Sequence, residues 1–290
     1  LYGYRTSEIK LPVIPDIKND VVISSDSSEY LPYRPEVKTS LGVHFVGAAN
    51  PHPDPSDKRS CIDGVKYRFC RKPPKIDVKL MKEFGEFVDK WLLDNLKPLD
   101  VNSDTTFENW INNTNYEKWR KDELTKEFVK SNGVLSKKDL DVKSFIKDET
   151  YPTYKYPRAI NSRTDAFKIR VGPIFKLIEQ EVYKLPWFIK HVSVDERAKV
   201  IQEECYQAES NVVGTDYTSF EALFTKILMM NCEMKMYKYM TQNLDDTEWY
   251  NIVEKVLTGK NKCVFKMFKV YVNATRMSGE MCTSLGNGLA

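Results

Sequence analysis

The stretch Val213-Gly214-Thr215-Asp216-Tyr217-Thr218-Ser219-Phe220-Glu221 reads as the end of a strand, a turn and the start of a helix. Asn211 to Asp216 has the make-up of a short strand, and the residues from Glu221 to Asn243 predict one long helix. An acid at the C-terminal end of a strand stands where the following loop borders an open cleft. The carboxylate of Asp216 therefore suits Mg²⁺, which takes few protein oxygens and keeps positions for phosphate and water. Two plainer accounts fit the same residues. Asp216 can be satisfied by backbone N–H groups of the turn, and Thr218-Ser-Phe-Glu221 has the pattern of a capping box.

Upstream of this stretch, residues 1 to 75 are rich in proline and turn signals, notably Asn50-Pro-His-Pro-Asp-Pro55. They predict an extended N-terminal arm with β-prone pieces at Leu41 to Val46 and Val65 to Phe69. Ile76, Leu80, Phe84, Phe87, Val88, Trp91 and Leu92 then recur at helical spacing, with Pro98 beyond the end. A second helix is expected from Tyr116 to Lys130, opened by Thr114-Asn-Tyr-Glu117 and stopped near Gly133. Further helices are expected from Ile174 to Lys184, with Pro173 in the first turn, and from Ser193-Val-Asp-Glu196 to about Gln207. Lys137 to Pro157 reads as loop with short strands. Downstream, Thr247 to Leu257 predicts a helix, Lys262 to Val272 a hairpin, and Met281 to Ala290 the opening of another helix. Helices dominate, so the expected class is α+β, helix-rich. Met229, Met230, Met234, Met236 and Met240 fall at spacings that suit core packing.

A second constellation is Arg276-Met-Ser278-Gly279-Glu-Met-Cys-Thr283-Ser-Leu-Gly-Asn287. Gly279 allows a turn before the helix, and Thr283 and Asn287, four apart, share one helical face. Their hydroxyl and amide can bond sugar hydroxyls. A serine cap with its polar groups turned to solvent is the plainer account. The third constellation is basic and runs from Phe145-Ile-Lys147-Asp-Glu149 to Lys155-Tyr-Pro-Arg158-Ala-Ile-Asn-Ser-Arg163. Pro152 and Pro157 hold it extended, so its side chains can line a groove where Arg forks match phosphate oxygens. A solvated basic loop is the plainer account, since charge runs usually belong to the surface.

Net charge alone does not announce a nucleic-acid binder; its distribution says more. The whole chain of 290 residues carries only +3, yet Lys155 to Lys176 contains six basic residues and one acid, a local +5. Composition is otherwise that of a folded chain, 41% hydrophobic and 12% aromatic, which excludes a largely disordered one. The length suggests about two domains. No apolar run is long enough to span a membrane, and no leader sequence is evident. The six cysteines are scattered, as expected in a reduced, cytosolic setting. His44, His52, Cys61 and Cys70 are too irregularly spaced to suggest zinc.

Taken in order, the three constellations resemble the RNA-dependent RNA polymerases of positive-strand RNA viruses, closest to the tombus-like and related enzymes. Phe145 to Arg163 is similar to motif F, Asp216-Tyr-Thr-Ser-Phe-Glu221 to motif A, and Ser278 to Asn287 to motif B. The resemblance covers about residues 140 to 290. It implies a right-hand fold, with residues 1–75 an N-terminal extension, 76–205 fingers and 206–290 a partial palm with an intervening fingers segment. On that reading the thumb and the end of the palm are expected to lie outside this sequence. It further implies that Asp216 binds Mg²⁺ (or Mn²⁺) for two-metal nucleotidyl transfer. Lys155, Arg158 and Arg163 would face the triphosphate; Glu221, Ser278, Thr283 and Asn287 would sense the ribose 2′-hydroxyl.

The partners implied are template and nascent RNA, ribonucleoside triphosphates and other viral replication proteins. The implied location is the host cytoplasm, on membranes reached through regions outside this chain. Two departures stand out. Glu221 occupies a position where the family usually has Asp. The Gly-Asp-Asp turn of motif C has no counterpart, since Asp245 and Asp246 lie in a polar loop before motif B. The chain is thus expected to be a piece of a polymerase and catalytically incomplete alone. A non-catalytic RNA-binding protein derived from a polymerase and a reverse transcriptase are the alternatives.

Overall fold

A computed structural model describes residues 13–25, 53–151, 155–206, 211 and 213–290. The expected strand from Leu41 to Val46, with His44 and His52, lies outside them. The described residues form a helix-rich α+β structure around one five-stranded mixed sheet. Its strands are β1 (Val22–Ser24), β2 (Val142–Ile146), β3 (Ala159–Arg163), β4 (Lys260–Val264) and β5 (Lys269–Asn273), in the order β1-β5-β4-β2-β3. Three pairings are antiparallel. Only β2 and β4 run parallel, with Val142 opposite Cys263. The hairpin β4–β5 matches the alternation read from Lys262 to Val272: Cys263, Val270 and Val272 face inward and are fully buried.

Helix α1 (Lys58–Arg68) packs on this sheet, burying Cys61 and Val65 with Phe69 and Cys70 beyond its end. The expected strand from Val65 to Phe69 is therefore helix. Asp57 explains why, because its carboxylate accepts from Arg59 and Ser60 N–H and starts the helix seven residues earlier than the β-prone residues.

The helical core is shared by α2 (Val78–Asn95), α5 (Asp165–Val182), α8 (Lys226–Asn231), α9 (Glu233–Met240), α10 (Thr247–Thr258) and α11 (Thr283–Leu289). Met229, Met234, Met236 and Met240 are all fully buried there, as their spacing suggests. Trp249 stacks edge-on with Phe175 and Tyr237 and donates from Nε1 to the Val171 carbonyl at 3.1 Å. A smaller cluster joins α3 (Phe107–Asn112) and α4 (Lys118–Ser131) to α5 through Trp110, Leu124 and Ile169. Helix α6 (Arg197–Cys205) completes the long elements.

Several boundaries differ from expectation. Helix α5 begins at Asp165, not at Ile174: Thr164 caps it by accepting from Phe167 N–H, and Pro173 sits inside it. An interior proline forfeits one backbone hydrogen bond, which the buried apolar side chains of α5, from Phe167 to Val182, outweigh. Helix α4 starts without a side-chain cap from Thr114, whose hydroxyl turns back to the Ile111 carbonyl; Asn132 and Gly133, both left-handed, end it.

The single helix expected from Glu221 to Asn243 is three. These are α7 (Phe220–Leu223), α8 and α9, broken where Thr225 caps α8 and where Cys232 leaves helical geometry at φ −121° and ψ −96°. The strand expected from Asn211 to Asp216 does not form. Residues 213–218 are exposed and irregular, and no strand among the described residues lies beside them to take up their backbone groups.

Candidate nucleotide-binding hollow

The antiparallel pair β2–β3 carries the basic segment. It continues past Ile146, where Lys147 N–H donates to the Arg158 carbonyl at 2.8 Å, so Lys147 and Arg158 emerge side by side. Both lie on Glu149. Arg158 donates to it bidentately, from Nε and Nη2 at 2.5 Å each, and Lys147 Nζ stands 3.0 Å from Oε2. The Tyr151 hydroxyl donates to the same carboxylate. The Arg158 guanidinium thereby holds Glu149 well below the usual carboxylate range, and Glu149 in turn raises Arg158.

Ser219 forms the turn before α7 in the left-handed conformation, at φ 56°, uncommon for a residue with a Cβ. Its hydroxyl is anchored to the Tyr67 carbonyl of α1 at 3.3 Å. The turn brings Glu221 to the strand ends, and the Glu221 carbonyl accepts from Arg276 N–H at 3.3 Å.

The loop from Arg276 to Glu280 is fastened on both sides. Asn161 N–H donates to the Ser278 carbonyl at 2.6 Å. Gly279, at φ +116°, lies so close to β3 that a Cβ would come 3.1 Å from Ile160 Cγ2 and would strain the backbone as well. Arg276 reaches inward to Glu233, with Nη2 2.7 Å from Oε2 and its guanidinium 4.3 Å above the Phe224 ring. Arg163 is fixed to Glu280 at 2.6 Å and to Asn261, Leu140 and Val256 oxygens.

These segments enclose a hollow of about 220 Å³. Arg158, Glu221 and Ser278 line it together, joined by Arg68 of α1, Lys147 and Asn161. Three expected site residues from three separate parts of the chain thus meet. Others do not. Arg163 is 3% exposed within its hydrogen-bond network, so it cannot face a triphosphate as expected and serves to tie β3 to the loop. Lys155 and Asp216 are exposed and outside the lining. The Thr283 hydroxyl donates to the Met277 carbonyl at 2.9 Å, closing the loop before α11. Asn287 lies one turn further on, its Oδ1 buried without a hydrogen-bond partner among the described residues. Asp246 caps α10 and takes a bidentate ion pair from Arg170.

The chain is similar to viral RNA-directed RNA polymerases. It is 25% identical over 151 residues to the RNA-directed RNA polymerase of striped jack nervous necrosis virus, covering 51% of this chain and 15% of that protein. It is 27% identical over 178 residues to that of oat chlorotic stunt virus (isolate United Kingdom), covering 56% of this chain and 23% of that one. The match therefore spans less than a quarter of either polymerase. No family model matches.

Metal binding is a separate matter from phosphate binding. Among the described residues no three His, Cys, Asp or Glu side chains converge as a metal-holding group, and Glu221 is the one carboxylate in the lining. The described residues alone do not group the carboxylates that a Mg²⁺ centre needs. What the lining does offer is the cations Arg68, Lys147, Arg158 and Arg276 beside the polar groups of Asn161, Glu221 and Ser278.

Sequence reading missed Arg68 as a lining residue and left Lys147 without a role. The signal for Arg68 was present in Asp57 and the buried Cys61, Gly64 and Val65, which together spell a capped helix that ends at the hollow.

Proposed function

We propose that this chain carries the nucleotide-entry and sugar-reading parts of an RNA-directed RNA polymerase that copies a viral RNA from ribonucleoside triphosphates. One observation carries the reading: Arg158, Glu221 and Ser278, matching motifs F, A and B in order, share a single hollow. The distant similarity to two viral polymerases supports it. Arg158 and Lys147 would take triphosphate oxygens, since a guanidinium fork already bidentate on the Glu149 carboxylate presents the geometry a phosphate needs. Ser278 and Glu221 would face the sugar. Asp216 would be the metal-binding carboxylate, with Mg²⁺ or Mn²⁺ activating the attacking 3′-hydroxyl and the leaving pyrophosphate when its other ligands are in place. Residues 76–205 would then be fingers and 206–290 a partial palm with an intervening fingers segment. No helix among the described residues is long and apolar enough to cross a membrane, so attachment of a replication complex to membranes would depend on other segments or partners.

Asn287 supplies the test. Asn287 lies outside the lining and its unpartnered acceptor is buried, so it would meet a 2′-hydroxyl only once α11 moves toward the hollow; a site built around such a bond rejects the deoxy analogue. In a polymerase carrying this chain, Asn287→Ala is expected to lower discrimination of ribo- over deoxynucleotides about tenfold, roughly one hydrogen bond's contribution. Template-directed incorporation rates for ATP and dATP would show it. Unchanged selectivity would remove Asn287 from the sugar site. Equal use of both nucleotides by the unaltered enzyme would favour a reverse transcriptase, and no incorporation at all an RNA-binding protein.

A further inference from the structure

Arg68 is held differently from the other cations of the hollow. Arg158 and Lys147 already rest on Glu149, and Arg276 is fully buried against Glu233. Arg68 has no carboxylate at ion-pair distance among the described residues. Its Nε donates to the Tyr156 carbonyl at 3.0 Å. That bond uses Nε alone, and Arg68 lines the hollow, where a phosphate could accept from its terminal N–H groups.

The helix that carries it is firmly seated. Gly64 lets α1 press on the basic segment, since a Cβ there would lie 2.7 Å from Pro157 Cγ. Tyr67 and Tyr156 pack with ring centroids 5.0 Å apart. Ser219 bonds the Tyr67 carbonyl, so α1 bridges the basic segment and the turn before Glu221. A basic residue in a last helical turn is ordinary, because it favours the helix dipole. Lys66 stands in the same turn, however, and does not line the hollow. Burial lowers the pKa of Arg68, with Arg158 adding to the effect, while Tyr151 and the Glu221 and Glu149 carboxylates oppose it. An anion docking beside it would relieve that cost.

We infer that Arg68 is a binding residue for the polyphosphate of the incoming nucleotide, the cation that receives it while Arg158 is still held by Glu149. The inference rests on the nucleotide reading of the hollow and adds a residue from α1, outside the three motifs.

Titration calorimetry of the full chain with inorganic tripolyphosphate tests it. The unaltered protein is expected to bind, Arg68→Ala to bind at least tenfold more weakly, Arg68→Lys to fall between them, and Lys66→Ala to match the unaltered protein. If Arg68→Ala does not fold, as judged by its melting transition, Arg68→Gln keeps the stem and carries the same expectation. Equal tripolyphosphate binding by the unaltered and Arg68→Ala proteins overturns the role of Arg68 and leaves the hollow's reading intact. A loss seen only with a short RNA oligonucleotide also overturns it, by assigning Arg68 to the RNA backbone. Absence of tripolyphosphate binding by the unaltered protein overturns both.

Discussion

Arg276→Met is expected to destabilise the protein by about 3–5 kcal/mol, a large share of the roughly 5–15 kcal/mol that holds a typical domain folded. Arg276 and Glu233 are 0% and 1% exposed, so neither charge has water to fall back on. The pair is enclosed by Phe224 above the guanidinium and by Tyr237, whose hydroxyl donates to Glu233 Oε2 at 3.1 Å. Gly286 of α11 closes the remaining side; a Cβ there would collide with Glu233 Oε2 and Arg276 Nη2. Removing the arginine leaves a carboxylate in an apolar site.

The pH dependence follows from Glu233. Burial raises its pKa above the ordinary 4.5, against the opposing pull of Arg276, and loss of Arg276 raises it further. A carboxyl whose folded pKa exceeds its unfolded one binds more protons when folded, so stability falls as pH rises between the two values. The deficit of Arg276→Met should therefore shrink as pH falls toward the ordinary carboxylate range. Urea denaturation at several pH values measures this. The double variant Arg276→Met, Glu233→Leu should recover most of the loss, because an apolar pair needs no compensation. A deficit under about 1 kcal/mol in the single variant would mean that the pair is not sealed from water.

Asp216→Asn in a polymerase carrying this chain is expected to reduce RNA synthesis by about 10³-fold or more, the scale on which a lost charge-stabilising group acts. The substitution keeps size and shape and removes the charge. Asp216 is exposed, five residues before Glu221 of the hollow, so neither folding nor RNA binding should change much. Primer extension alongside filter binding of RNA separates the two effects. Near-normal extension would take Asp216 out of the metal site, and parallel loss of RNA binding would make it a structural residue.

What could be read from sequence depended on whether the decisive contacts were local. Helices α2 and α10 were legible because Ile76 to Leu92 and Thr247 to Leu257 repeat at 3.6 residues, and the β4–β5 hairpin because Lys262 to Val272 alternates. The methionine core was legible for the same reason. The early start of α5 was hidden by Pro173, which usually marks a first turn but here sits among buried side chains. Arg163 reads from sequence as a triphosphate-facing cation because its acid, Glu280, lies 117 residues away. The strand before Asp216 failed for the converse reason: β-prone residues need a neighbouring strand, and local composition cannot supply one. The hollow itself was partly legible, through Arg158, Glu221 and Ser278, whereas Arg68 was obscured by the helix that carries it being taken for a strand.

Photo-crosslinking with an azido group on the γ-phosphate of ATP, mapped by mass spectrometry, examines the shared hollow most directly. Adducts are expected on the peptides that carry Arg68, Lys147 and Arg158, and to disappear when unmodified ATP competes. Adducts that survive competition, or that fall on peptides remote from these residues, would contradict a nucleotide site in the hollow.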